Sequence, residues 1–218
     1  HAREDVERVW LTASGGALRG WDEAARARAT PADVLKHPNW SMGARITVDS
    51  ATLVNKAFEV IEPRWLFDLP VERIGALVHP QSVVHGLVEL RDGAVLAHLG
   101  APDMKVPIQY ALTAPRRRPL AAPRLDWAAL SLDFEPVDPA RHPAYAAVLE
   151  AGRAGGTAPA VANAADEVLV ARFLNGEIPL PRIASGLAEV LSRHAPEPAT
   201  LAAVRAADAW ARAQAAGL

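Results

Sequence analysis

The sequence predicts an α/β (α+β) domain with a small mixed sheet, then a Pro-rich linker, then an α-helical bundle domain. Three observations predict it. Over residues 1–113 short apolar runs bounded by Gly, Pro, Asn and Asp alternate with helical periodicity. Between 114 and 143 the chain is punctuated by Pro115, Pro119, Pro123, Pro136, Pro139 and Pro143, the composition of an extended connector. From Ala144 to the end, Ala-rich segments of helical period are broken by Gly and Pro. The boundaries are therefore placed at 1–113, 114–143 and 144–218.

In chain order, Val6 to Thr12 reads as a short apolar strand that Ser14-Gly15-Gly16 breaks. Trp21 to Ala29 reads as a helix, and His37 to Gly43, with Pro38, Asn39 and Gly43, as an irregular loop. Arg45 to Val48 reads as a short strand. Asp49 or Ser50 then caps a helix that runs to about Glu62, where Pro63 ends or kinks it. Arg73 to His79 is a strand. Ser82–Leu90 and Ala94–Leu99 flank Arg91-Asp92-Gly93, a hairpin signal. The bundle helices are expected at 144–153, 159–174, 181–194 and 199–216. Asn175-Gly176 stops the second of these, Pro181 opens the third, and Pro196 and Pro198 precede the fourth.

Composition narrows the function classes. The chain is half hydrophobic and 22% charged, as a water-soluble globular protein would be, with a formal net charge of -2 and one short basic run, Arg116-Arg117-Arg118. That balance excludes a dedicated nucleic-acid binder. There is no cysteine, which removes disulfides and thiolate metal sites and fits a cytoplasmic location. No apolar run reaches the ~20 residues of a membrane span. The start, His-Ala-Arg-Glu-Asp-Val, is neither a signal peptide nor an initiator Met, so the chain is expected to begin inside a larger protein.

The segment Asp49 to Glu59 carries most of the chemistry. On a helical wheel Thr52, Asn55, Lys56 and Glu59 share one face, and Leu53, Ala57, Val60 and Ile61 cover the other. A cation, an amide, the Ser50 hydroxyl and free N–H groups at a helix start are what a phosphate needs. Glu59, one turn on, offers an oxygen to a divalent cation. The same spacing also describes a solvated face with a Lys56–Glu59 pair at i, i+3. Ser14-Gly15-Gly16 reads either as an anion-wrapping turn or as a plain turn. Trp40 in the 37–43 loop reads either as a lid residue, with His37 as a donor, or as packing against the domain. His85 in His79-Pro-Gln-Ser-Val-Val-His85 reads as a hydrogen-bonded core histidine.

Taken in order, Leu11-Thr-Ala-Ser-Gly-Gly16, His37-Pro-Asn-Trp-Ser-Met-Gly43, Val48-Asp-Ser-Ala-Thr52 with Asn55-Lys56 and Glu59, His79 to His85, and Leu99-Gly-Ala-Pro-Asp-Met104 closely resemble the 1-deoxy-D-xylulose 5-phosphate reductoisomerase family. Asn163-Ala-Ala-Asp-Glu167 matches it too, so the resemblance runs from about Val9 to the C-terminus. It implies an NADPH-dependent oxidoreductase and isomerase of non-mevalonate isoprenoid biosynthesis, dimeric through its central domain, using Mg2+ or Mn2+. It implies that Ser14, Ser50, Asn55 and Lys56 hold the substrate phosphate, that Glu59 binds the metal beside the substrate, and that the loop closes with His37 at the phosphate end and Trp40 on the carbon chain. Glu59, His37 and Lys56 are then the catalytic residues, and Met42 and Gly43 approach NADPH. The family's glycine-rich nucleotide domain and its Asp-Ser-Glu metal segment have no counterpart in this sequence, so the chain alone is expected to be inactive. Two other readings predict different behaviour: a non-catalytic sugar-phosphate-binding and dimerisation module, and a metal-dependent phosphosugar aldolase or isomerase that needs no nicotinamide. The expected partners are a small sugar phosphate and a second copy of the chain through the 82–99 hairpin, with no nucleic acid and no membrane.

Overall fold

A computed structural model describes residues 3–36 and 42–218. Its first part is built on strands β1 (Val6–Ala13), β2 (Ile74–Val78), β3 (Val84–Leu90) and β4 (Val95–Leu99). Between β1 and β2 come the short helices α1 (Glu23–Ala27) and α2 (Pro31–Val34), then α3 (Ala44–Thr52) and α4 (Val54–Phe67). α5 (Lys105–Thr113) follows β4, and a two-residue strand, β5 (Glu135–Pro136), precedes the bundle of α6 (Pro143–Ala154), α7 (Ala158–Leu174), α8 (Pro181–Ser192) and α9 (Leu201–Ala216). The expected mixed α/β chain with a helical C-terminal part is what the structure shows.

One sheet runs in the order β4-β3-β1-β2-β5. β1 and β2 pair in parallel, Val9 opposite Ile74 through Ala13 opposite Val78, which requires a long crossover. Residues 14–73 make it, and α4 packs back against β1 and β2. β3 is antiparallel to β1 and to β4, the hairpin expected at Arg91-Asp92-Gly93.

Three local expectations are corrected. Residues 45–48 are helical, in α3. The β-branched run Ile46-Thr47-Val48 suggested a strand, but the Thr47 hydroxyl donates back to the Gly43 carbonyl at 2.8 Å and Val48 is fully buried in the core, so packing overrides propensity. Asp49 and Ser50 consequently lie inside α3 and not at a helix start. The next helix starts after Leu53, held in the left-handed region at φ 61°, and this single buried residue turns the chain between α3 and α4. Pro63 does not end α4, which continues to Phe67, because Val60, Ile61 and Pro63 are all buried along it. Within 114–143 the chain is largely irregular as expected, but β5 adds an edge pairing, Leu77 with Pro136 and Val78 with Glu135. The helix α5, just before this stretch, has no clear signal in the sequence.

The four bundle helices fall within a few residues of their expected limits. Proline opens α6 and α8, and the Thr200 side chain caps α9 by accepting from Ala203 N at 3.2 Å. α7 lies at the centre, with Ala158, Ala162, Ala164 and Ala165 buried and α9, α8 and α6 against it. The core does not stop at the linker: α4 packs on α6 and α3 on α7. Helices α4 and α6 meet closely at Gly152, where an added Cβ would fall 2.5 Å from Ile61 Cγ1 and 2.8 Å from its Cδ1. Gly152→Val is therefore expected to destabilise by ~1–3 kcal/mol through overpacking, read as a lower urea midpoint. A midpoint equal to the wild type would show that this contact is loose.

Candidate functional site

The sheet and crossover bring two short sequences together. The first is the turn after β1. Gly15 and Gly16 adopt φ 87° and 68°, and the Ser14 hydroxyl accepts from Gly16 N at 3.2 Å. The second is the end of α3: a Cβ on Gly16 would fall 2.6 Å from Ser50 O and 2.6 Å from Ala51 Cα. The bare glycine lets the Ser14 turn lie directly against Ser50. From Ser50 the chain passes Thr52, whose buried hydroxyl donates to Val48 O at 3.2 Å, and turns at Leu53 into the first turn of α4.

There Asn55, Lys56 and Glu59 converge. Asn55 Nδ2 donates to Glu59 Oε1 at 2.5 Å, and Lys56 Nζ donates to Glu59 Oε2. The ammonium group is well shielded, with the Lys56 side chain 11% exposed, while Glu59 is 37% exposed. Amide, ammonium and carboxylate thus form one cluster at the start of a helix, where exposed N–H groups favour anions. Thr52 is the exception to the expected stripe: it belongs to α3 and turns inward. Ser50 is displaced from its expected place too, lying in the last turn of α3 rather than at a helix start, with the Leu53 turn between it and α4.

Gly43 is exposed at the N-terminus of α3, and a Cβ added there would meet nothing within 4 Å among the described residues. Met42 beside it is half-buried. His37 and Trp40 lie outside the described residues. His85 is corrected: it is exposed and meets Gly100 O at 3.1 Å. The buried histidine is His79. Val83 N donates to its Nε2 at 3.2 Å, which leaves Nδ1 to carry the proton toward Asp133 O at 2.8 Å, and Phe134 stacks on the ring. Its role is to tie the linker to the sheet.

A second cluster joins Arg45 and Asp49 to the Asn163-Ala-Ala-Asp-Glu167 segment, which matches the family but to which the sequence alone gives no role. Arg45 Nη2 donates to Asn163 Oδ1 at 2.9 Å and lies 3.4 Å from Asp166 Oδ2. Its Nη1 is 3.4 Å from Glu167 Oε1, and its Nε 3.6 Å from Asp49 Oδ2. Asp166 is fully buried and Asp49 nearly so. Burial, followed by the neighbouring Asp166 charge, raises Asp49 to about 8. Burial also raises Asp166, against the opposing pull of Arg45. Besides that motif, the signal was spacing: Arg45 and Asp49 at i, i+4, and Asn163, Asp166 and Glu167 at i, i+3, i+4.

Among the described residues no group of three or more His, Cys, Asp or Glu is placed to hold a metal ion, and no helix is long and apolar enough to cross a membrane. A cavity of about 570 Å³ opens between α1, residues 138–144 and α8, and another of about 410 Å³ lies beside α5. Ser14, Ser50, Asn55, Lys56 and Glu59 line neither of these two cavities.

Two family models match the chain: a DXP reductoisomerase C-terminal domain over residues 99–214 and a 1-deoxy-D-xylulose 5-phosphate reductoisomerase C-terminal domain over residues 1–67. The 1-deoxy-D-xylulose 5-phosphate reductoisomerase of Citrifermentans bemidjiense is 51% identical over 214 residues, 97% of this chain and 56% of that protein. That of Anaeromyxobacter dehalogenans is 54% identical, over 91% of this chain and 51% of its own length. The solved enzyme from Zymomonas mobilis in complex with NADPH superposes with a TM-score of 0.91 at 42% identity, covering 99% of this chain and 56% of that one. A reductoisomerase solved with NADPH, fosmidomycin and magnesium gives 0.88 at 37% identity, covering 98% of this chain and 55% of that one. The chain thus spans a little over half the length of these relatives.

Proposed function

The chain belongs to the 1-deoxy-D-xylulose 5-phosphate reductoisomerase family, and from that premise we propose that it carries the substrate-phosphate clamp of such an enzyme. The reaction is the conversion of 1-deoxy-D-xylulose 5-phosphate to 2-C-methyl-D-erythritol 4-phosphate with NADPH and a divalent cation. The observation that carries this reading is the convergence of Asn55 and Lys56 on the Glu59 carboxylate, just beyond a Ser50 that abuts the Ser14 turn.

In this reading the hydroxyls of Ser14 and Ser50, the Asn55 amide and the Lys56 ammonium hold the phosphate. An arriving dianion competes with Glu59 for Lys56 and frees the carboxylate to face the cation. A lone carboxylate with water binds Mg2+ poorly, so Glu59 would be one ligand of the ion and not a complete site. When bound beside Glu59, the ion would polarise a substrate carbonyl oxygen, and NADPH would supply the hydride. The resemblance assigns His37 and Trp40, which lie outside the described residues, to the substrate, and Met42 and Gly43 to the nicotinamide cofactor. The exposed edge strand β4, with Val95 and Leu96 about half exposed, is the face we assign to a second copy of the chain.

Calorimetric titration of 1-deoxy-D-xylulose 5-phosphate into the 218-residue chain with Mg2+ tests the clamp. Binding is expected, and Ser50→Ala should weaken it about tenfold, the loss of one hydrogen bond to a charged group. An absence of binding would remove the clamp. With Glu59 as its single assigned metal ligand, this chain alone is expected to give no turnover, and NADPH oxidation at ordinary enzyme rates would contradict that.

A further inference from the structure

We propose that Asp166 is a positioning residue: through Arg45 and Asp49 the C-terminal bundle holds α3, and with it Ser50, in the geometry that grips the substrate phosphate. The inference rests on the reading of Ser50 as a phosphate ligand.

The geometry links three helices. On α7, Asn163, Asp166 and Glu167 present one face to α3, and Arg45 reaches all three. On α3, Asp49 lies one turn after Arg45, their side chains 3.6 Å apart. Behind Glu167, Arg212 of α9 ties it to Asp208. Asp49 is followed at once by Ser50, whose carbonyl meets the Ser14 turn. A path of hydrogen bonds and ion pairs therefore runs from the bundle to the helix that carries Ser50 in its last turn.

Stability alone does not explain such a cluster. Apolar residues of similar volume generally replace a buried ion pair at no loss, and the buried face of α7 is otherwise alanine, valine, leucine and phenylalanine. Directional polar contacts fix register and orientation, which an apolar contact does not. Two carboxyls facing one guanidinium, with Glu167 adjacent, are also short of positive charge. Asp49 Oδ1 and Asp166 Oδ1 are both buried without a hydrogen-bond partner among the described residues. A proton on Asp49, donated to the Asp166 carboxylate, resolves both problems, and that bond raises Asp49 while lowering Asp166. The charged groups acting on the pair are Arg45 of α3 and Glu167 of α7, with Arg212 and Asp208 of α9 one step removed. Folded Asp49 keeps its proton up to about pH 8, against an ordinary value of 3.8. The stabilisation from that proton is complete below the ordinary value and is lost as pH rises through 8.

The test uses the whole chain, with binding of 1-deoxy-D-xylulose 5-phosphate and hydrogen exchange of the α3 amides measured at pH 7 and pH 9. The phosphate ester is dianionic at both, since its second pKa is about 6. Wild-type affinity should fall about tenfold between the two, one decade per pKa unit crossed, with α3 exchange rising beyond its intrinsic pH effect. Asp49→Asn keeps a neutral donor and should abolish both changes while binding as the wild type does at pH 7. Asp166→Ala and Arg45→Gln should bind about tenfold more weakly at pH 7 and expose α3 to exchange. Arg45, half-buried where Asp166 is fully buried, decides the matter if Asp166→Ala does not fold. Wild-type affinity and wild-type α3 exchange in Arg45→Gln would overturn the proposal. If the wild type fails to bind, or Ser50→Ala binds equally well, the phosphate reading fails instead, and α3 exchange still decides whether Asp166 holds the helix.

Discussion

Lys56→Ala is expected to bind 1-deoxy-D-xylulose 5-phosphate about 100-fold more weakly than the wild type, a loss of ~2–3 kcal/mol. Two effects add. The variant loses the charge-assisted hydrogen bond from a shielded ammonium to a phosphate oxygen, and shielding makes that bond stronger than at an open surface. It also leaves Glu59 held by the neutral Asn55 amide at 2.5 Å, so an uncompensated carboxylate now faces the incoming anion. Lys56→Arg should recover only part of the loss, because a planar guanidinium cannot occupy the position of a compact ammonium at an 11% exposed site. Calorimetry on all three proteins, with circular dichroism to confirm that the helices persist, gives the measurement. A loss below about threefold, within what an exposed ion pair contributes, would mean that Lys56 only pairs with Glu59.

What could be read from the sequence, and what could not, follows the range of the forces involved. The bundle helices were legible because Asn175-Gly176, Pro181 and the prolines at 196 and 198 act locally on the backbone. The β3–β4 hairpin was legible for the same reason. α3 was not: Ile46-Thr47-Val48 has strand propensity, and only the burial of Val48 and the Arg45 contacts with α7 make it a helix. β5 exists because the sheet edge at Leu77 and Val78 accepts it, which no local pattern reports. At the site, the i, i+3 and i, i+4 spacing correctly grouped Asn55, Lys56 and Glu59 on one side of a helix. The same reasoning misplaced Ser50 and Thr52, because the wheel assumed one continuous helix where Leu53 breaks it into two. The buried acids were missed since Asp49 and Asp166 are 117 positions apart in the sequence and meet only when α3 docks on α7.

Gly16→Ala is expected to cost ~2–4 kcal/mol of stability, from the left-handed backbone and from overpacking. Its new methyl would stand 2.6 Å from Ser50 O, 2.6 Å from Ala51 Cα and 2.8 Å from Ala51 N. These are backbone atoms of a packed helix, so no side chain can swing aside to make room. Either the Ser14 turn lifts away from α3 or α3 shifts, and both separate the two hydroxyls assigned to the phosphate. Gly93 provides the control: its φ of 85° is as left-handed as the 68° of Gly16, but a methyl added there would meet nothing within 4 Å. Gly93→Ala should therefore cost only the conformational part, ~1 kcal/mol, and leave sugar-phosphate binding unchanged. Urea denaturation of both variants separates backbone strain from the contact, and titration shows whether the contact matters for binding. Equal midpoints for the two variants would mean that the turn and α3 do not need each other, and a clamp assembled from both would lose its structural basis.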